Sequence, residues 1–406
     1  PHVEPSAFQV EESMSEVADD FMVDAPTIVE SDDGVYVDGE VYLDEAAACG
    51  PVCPVEPSVW VRGDVLVWST KGTDIPALAT TSTAGTTQDQ AGVLGNLNTS
   101  VLFGGDEMLD DSRSGGRIAL GFWMDPSHRY GLEFSFLGLA DETSSFSASN
   151  DQLSILARPF DNIVSDAQDS RLVVFPDLVN GSLSIDASTK FGTAEVSVRM
   201  PGVPIHWSSI DFYLGYRVAE LEDILSIRED TISLAAPTAG TSFTLSDHFE
   251  TRNRFHGAQV GARWARHVSP LWRVELLTKF ALGTTESRTT ISGQTVVTTP
   301  AGDSVTQNAG LLAQGTNRGV FESDETSSIT EFGVTLRRQL HYGWSFSVGY
   351  NLMLWTDVLR VGDQVDTGIN VSQVPPGTLQ GEPRPAYLAT TDDFWAQGLS
   401  LGLELA

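Results

Sequence analysis

RSGGRIALGFWMDPSHRYGLEFSFLGLADETSSF, from Arg113 to Phe146, decides how the rest of the chain is read. Gly116, Ile118, Leu120, Phe122 and Met124 hold the even positions of its first half, and Arg113, Gly115, Arg117, Ala119, Gly121 and Trp123 the odd ones. After the Asp125-Pro126-Ser127-His128 turn, Tyr130, Leu132, Phe134 and Phe136 share one face, and Arg129, Gly131, Glu133 and Ser135 the other. Side chains on a strand alternate faces, so the stretch predicts a hairpin with one apolar surface and one carrying charge and glycine. A soluble sandwich can give that signal once. Repeated around a closed sheet with the charged face inward, it marks a membrane β-barrel.

The pattern does repeat. Upstream, Val59, Val61, Val65 and Val67 alternate with Trp60, Arg62, Asp64, Leu66 and Trp68. Downstream, further alternating stretches occupy residues 193–199, 211–218, 258–264, 272–282, 331–337, 344–352 and 395–405, of which 258–264 is the least regular. Long and short connections alternate between them, the short ones near Asp125, Pro201, Ser269 and His341. Outer-membrane barrels have short periplasmic turns, long external loops and, in single-chain bacterial examples, an even strand number. The fold class is therefore all-β: a closed antiparallel transmembrane barrel of about ten strands with both ends periplasmic. Twelve strands result if SLSIDAS or TISLAAP hides a further hairpin. Trp60, Trp123, Tyr130, Trp207, Trp272, Tyr342 and Trp344, close to the short turns, fit an interfacial aromatic girdle.

Composition narrows the class. The chain has 406 residues and a mean hydropathy of −0.07, and no run approaches the eighteen or so apolar residues of a spanning helix. Any crossing must be made by strands, because lipid accepts only helices and closed barrels. Net charge is −32, from 55 Asp+Glu against 23 Lys+Arg, which argues against nucleic acid as a partner. No Lys or Arg precedes Arg62; acid gathers in the leader and the loops. Acidic loops serve solubility, calcium binding or a repulsive outer surface equally well.

Residues 1–57 read as an acidic, mostly irregular periplasmic extension ahead of a barrel at 58–406. Numbering from Pro1 fits a removed export signal as well as a trimmed chain. Within the extension, Asp38-Gly39 in VYVDGEVYL (Val35–Leu43) is a two-residue hairpin signal. Cys49 and Cys53 are a candidate disulfide loop, an interchain bridge being the alternative, and no cluster of further ligands argues for a metal.

Several segments, taken together and in order, resemble a β-barrel porin family of outer-membrane proteins found in planctomycete bacteria. They include VWVRGDVLVWSTKG, GVLG, VLFGG, RSGGRIALGFWMDP, IDFYLGYRVAEL, TRNRFHGAQVGA, GLLAQGTNRG, GYNLMLWTDVLRVGDQVD and DFWAQGLSLGLEL. The resemblance runs from Trp60 to the end and leaves residues 1–57 without a counterpart. It implies an outer-membrane barrel; it does not imply a mechanism or a cofactor.

The face predicted to line the lumen carries Arg62, Asp64, Arg117, Glu133, Glu195, Arg199, Asp211, Arg217, Arg263, Arg273, Glu275, Lys279, Glu331, Arg337 and Glu404. Barrels of about eight strands are filled by their own side chains, whereas those of 16–18 leave a wide channel. Two readings follow for ten. One is a porin-like, narrow charged lumen passing small polar solutes or ions. The other is a sealed ion-pair core in a structural protein that forms arrays or anchors the envelope. The expected partners are outer-membrane lipid, further copies in an oligomer or array, and an envelope partner for the extension. A barrel hydrolase is the remote alternative, resting on the adjacent Asp247 and His248, and an adjacent pair without a positioned nucleophile is weak support for catalysis. No enzyme activity, metal or cofactor is expected.

Overall fold

The computed structural model describes residues 29–31, 34–36, 58–202, 207–374 and 377–406. Two compact units divide the chain, Pro1–Glu56 and Pro57–Ala406. In the first, Val29–Ser31 pairs antiparallel with Gly34–Tyr36. The Asp38-Gly39 turn and both cysteines lie outside the described residues.

The second unit is a closed ten-strand antiparallel barrel, and we number its strands β1 (Val59–Thr70), β2 (Arg113–Trp123), β3 (Gly131–Leu139), β4 (Val179–Pro201), β5 (Ser208–Ser233), β6 (Ser242–Ser269), β7 (Trp272–Thr298), β8 (Gly319–Gln339), β9 (Trp344–Leu359) and β10 (Thr391–Leu405). Each pairs with its neighbours in sequence, and β10 closes on β1, with Leu401 opposite Val65. Closure removes the open edges that lipid cannot satisfy.

Parity sets the two faces. Val65, Ile118, Phe136, Leu214, Val260, Leu282, Val334 and Leu401 are exposed on the outside, while their strand neighbours turn into the barrel. On β7 the outward apolar series runs from Trp272 to Leu282. At about 3.3 Å per residue that is roughly 33 Å of strand. Tilted by about 40°, it spans an apolar belt of about 25 Å.

The strands do not end at that belt. β5, β6 and β7 have 26, 28 and 27 residues, against the roughly 9–11 a crossing needs. SLSIDAS lies within β4 and TISLAAP runs off the end of β5 at Ser233, so neither is an additional hairpin. What reads as a third long loop is mostly strand: β5 runs to Ser233 and β6 resumes at Ser242. Residues Glu142–Ser149 likewise prolong the β3 side of the wall, pairing with β4 from Ser182 to Thr189.

β5 shows why the extension is hard to see in sequence. Up to Val218 the apolar residues Phe212, Leu214, Tyr216 and Val218 face out and Asp211 and Arg217 face in. Beyond it Leu221, Leu225 and Ile227 are buried inside, while Glu220, Glu222 and Arg228 stand on the outer face. The strand keeps its register; its surroundings change from lipid to water, and the chemistry of the two faces exchanges. The apolar belt therefore ends between Val218 and Glu220.

Two residues expected in the aromatic girdle are elsewhere. Trp60 is 7% exposed and faces inward, as does Trp123, and their rings lie 5.4 Å apart. Gly121 makes this possible, because a Cβ there would run into the Trp60 indole. Tyr130, Trp207, Tyr342 and Trp344 do face outward near the short turns.

Candidate functional site

The lumen is the site, and it is built in layers. Nearest the short turns, Asp211 accepts from Arg263 at 2.5 Å and lies 2.7 Å from an Arg199 nitrogen. The Arg199 guanidinium also lies over the rings of Trp60 and Trp123, 5.3 and 5.0 Å from their centroids. Across the same level Arg337 binds Glu275 at 3.0 Å and Glu404 at 2.5 Å, and Arg273 meets Glu275 at 2.5 Å. Arg62 pairs with Asp64 at 2.9 Å, and Glu133 accepts the Trp60 indole N–H. Gly402 completes the packing, since a Cβ there would occupy the place of the Asp64 carboxylate.

The next layer crosses the barrel. Arg217 on β5 reaches Glu195 on β4 at 2.7 Å and Glu331 on β8 at 2.5 Å. Lys279 on β7 also binds Glu195, Gln259 on β6 donates to it at 2.8 Å, and Arg117 on β2 donates to Glu331 at 3.3 Å. Six strands are thus tied together through two carboxylates. Every residue of the predicted lumen set lies in these two layers, and each except Glu133, which takes the Trp60 N–H, meets a group of opposite charge.

Above the charges lies an apolar layer. Leu66 and Trp68 (β1), Leu137 and Leu139 (β3), Phe191 (β4), Leu221 (β5), Phe255 (β6), Ile329 (β8), Trp355 (β9) and Phe394 (β10) form one buried cluster. Phe191 and Phe394 approach to 5.0 Å, and Phe255 meets Trp355 edge-on at 6.1 Å, although neither pair is on adjacent strands. Trp68 and Trp355 are each 0% exposed. Contacts of this kind across a ring of strands close it.

A second polar layer and a second apolar core follow toward the long connections. Arg360, just beyond β9, is 0% exposed; it binds Asp223 at 2.7 Å and donates to the carbonyls of Lys71 and Gly72. Asn253 clamps Leu359 from both sides, donating to its carbonyl and accepting from its N–H. The chain after β9 therefore folds into the barrel mouth, burying Val361, Gln364, Val365 and Ile369. Higher still, Arg158 is 1% exposed and binds Asp247 at 2.6 Å, and Asp247 also accepts the N–H groups of Leu312 and Ala313.

That arrangement separates Asp247 from His248. Asp247 points inward; His248 points outward, its Nδ1 3.0 Å from Ser226 Oγ and its Nε2 3.8 Å from Glu250. Ser226 and His248 are directly opposed in an unbroken ladder, whose N–H groups are committed to neighbouring strands. Among the described residues no three His, Cys, Asp or Glu side chains gather to hold a metal ion.

The model of the family described as Putative beta barrel porin-7 (BBP7) matches residues 60–406. The chain belongs to that family. No curated protein matches. Among solved structures, the Escherichia coli outer membrane protease OmpT is 7% identical over 86% of this chain and 96% of its own, with a TM-score of 0.39. A Pseudomonas aeruginosa FadL homologue is 9% identical over 85% and 89%, with a TM-score of 0.22. At these values the likenesses carry no argument about activity.

In this porin-7 family member the inner residues missed by sequence reading include Arg158, Asp223, Glu229, Asn253 and Arg360; Arg113, read on the charged face of the opening hairpin, also turns inward. All are buried, and all lie where the faces exchange character or where a connection turns inward. A signal for some of them existed: the period-two alternation of VAELEDILSIRED does not stop at Val218, it inverts.

Proposed function

We propose that this outer-membrane-type barrel is a structural protein with a closed lumen, inserted with its short turns and N-terminus on the periplasmic side and its strand extensions outside. The observation that carries this is the apolar layer in which Trp68 and Trp355 are fully buried, with charged layers on either side already paired. A solute crossing there would have to displace aromatic packing from the middle of the barrel, which costs several kcal/mol per large side chain. The extensions beyond the belt, with their own apolar core, give the barrel a rigid external platform. Lipid, further copies and an envelope partner for residues 1–57 are the partners in this reading.

Passive passage of small polar solutes is the second reading, favoured by the family's description as a porin. It requires the segment Arg360–Asn370 to leave the mouth and the aromatic layer to part. A catalytic role has less support, since the Ser226–His248 contact sits on an open sheet face with no free N–H pair to receive an oxyanion. Purified protein in planar bilayers separates the first two readings: silence supports the closed lumen, and steady ohmic steps overturn it.

A further inference from the structure

In a chain with 55 acidic residues and 23 basic ones, a cation without a carboxylate is conspicuous. Among the described lysines and arginines, Arg266, Arg318 and Arg338 have no carboxylate oxygen within 4.0 Å; each of the others has one. Arg266 on β6 and Arg338 on β8 flank the same residue of β7. Arg338 is registered opposite Trp272, and its guanidinium lies over that indole, 5.4 Å from the ring centroid. Arg266 is registered opposite Val274, two residues further along β7 on the same outward face.

Both arginines are exposed. They occupy the short-turn rim of the apolar belt, where Trp272 begins the outward apolar series. Their other cross-strand neighbours, Ser208 and Phe346, are neutral. The opposite rim is built differently: Arg254 meets Glu220, Arg252 meets Glu220 and Glu222, and Arg288 meets Glu322. Solubility alone gives no reason for pairing these three belt-edge arginines while leaving Arg266 and Arg338 bare beside Trp272. Arginine at a membrane interface extends its apolar stem along lipid and presents N–H donors to the headgroup layer. Contact with the Trp272 ring holds the Arg338 guanidinium at the belt edge, where its N–H donors can meet an oxyanion.

We propose that Arg266, Trp272 and Arg338 form a binding site for the phosphodiester headgroup of an anionic glycerophospholipid in the inner leaflet. The assignment of the leaflet rests on the periplasmic placement of the short turns proposed above. A juxtamembrane arginine favours anionic lipid by about fivefold, so the pair gives roughly 30-fold selectivity.

Native mass spectrometry of the detergent-purified chain, titrated with phosphatidylglycerol or phosphatidylcholine of identical acyl chains, reads the preference. The wild type retains phosphatidylglycerol at roughly 30-fold lower concentration. Arg266→Gln/Arg338→Gln abolishes that preference, and Arg254→Gln at the other rim preserves it. Equal retention of the two lipids by the wild type, or an unchanged preference in the double variant, overturns the site. Displacement of phosphatidylglycerol by excess inorganic phosphate overturns the lipid as its occupant. Orientation is read separately, with Ser127→Cys in a background where Cys49 and Cys53 are serine. Labelling of intact cells by an impermeant thiol reagent there overturns the inner-leaflet assignment, and protection until the outer membrane is breached supports it.

Discussion

Glu331 and Arg217 share an ion pair at 2.5 Å, yet removing one partner is predicted to cost far more than removing the other. The cluster around them holds three cations, Arg117, Arg217 and Lys279, and two carboxylates, Glu195 and Glu331. Glu331→Gln leaves those three cations facing Glu195 alone, with Arg217 only 2% exposed and Lys279 5%. Arg217→Gln leaves two cations and two carboxylates, which balance. Two unit charges 4 Å apart interact by about 4 kcal/mol at an effective dielectric of 20, and breaking a buried pair typically costs 3–5 kcal/mol. Glu331→Gln should therefore destabilise the barrel by about 4 kcal/mol and Arg217→Gln by about 1–2 kcal/mol. The double variant should fall between the singles, a non-additivity expected of residues in one network. Urea unfolding of protein refolded into lipid vesicles measures all three. An Arg217→Gln cost equal to or above that of Glu331→Gln would refute the charge balance read from the lumen, as would simple additivity.

Three further outcomes are expected. Trp355→Ala should lower stability by about 3–5 kcal/mol and introduce brief conductance events in a planar bilayer, because it empties a fully buried indole from the closing layer. Leu214→Arg, on the lipid face, should cost about 2–4 kcal/mol in vesicles. Ile224→Arg, on the same face of β5 but past the end of the belt, should cost little; equal costs would place the membrane boundary elsewhere. Burial, reinforced by the nearby Asp392 carboxylate, raises the Asp363 carboxyl to about 6. A carboxyl raised in the folded state makes the fold bind protons more tightly than the unfolded chain, so stability should rise as pH falls from above 6 toward 4. Asp363→Asn should remove that part of the slope, read as the urea midpoint against pH.

The barrel was legible in sequence because lipid imposes a single rule, apolar outward, on every strand it touches. Phe212 to Val218 obeys that rule, and so does Trp272 to Leu282; hence strand number, order and the charged residues of the two lower layers follow from alternation. Past Val218 water lies outside, and the rule reverses. Alternation then places Leu221 and Leu225 on the opposite parity, which reads as the end of a strand although the ladder with β4 continues to Ser233. Inward-folding connections leave a different kind of gap. GLLAQGTNRG and LRVGDQVD contributed to the family resemblance, but no periodicity tells that Leu312, Asn317, Arg360 and Gln364 are fully buried in the mouth. Arg360 is fixed by the distant Asp223 and Leu312 by the distant Asp247, and pairings of that kind carry no local signature. Trp60 illustrates a third limit: an aromatic beside a short turn suits a membrane girdle and a lumen equally, and parity with Arg62 decides between them.

Thiol accessibility tests the closed lumen most directly. Ser197, on β4 and 2% exposed, and Ser327, on β8 and 2% exposed, lie below and above the aromatic layer. With Cys49 and Cys53 replaced by serine, Ser197→Cys and Ser327→Cys proteins in vesicles should resist a small charged thiol reagent until urea unfolds them. Rapid labelling of either cysteine in the folded barrel, supplied from whichever side, would contradict a lumen filled by its own side chains.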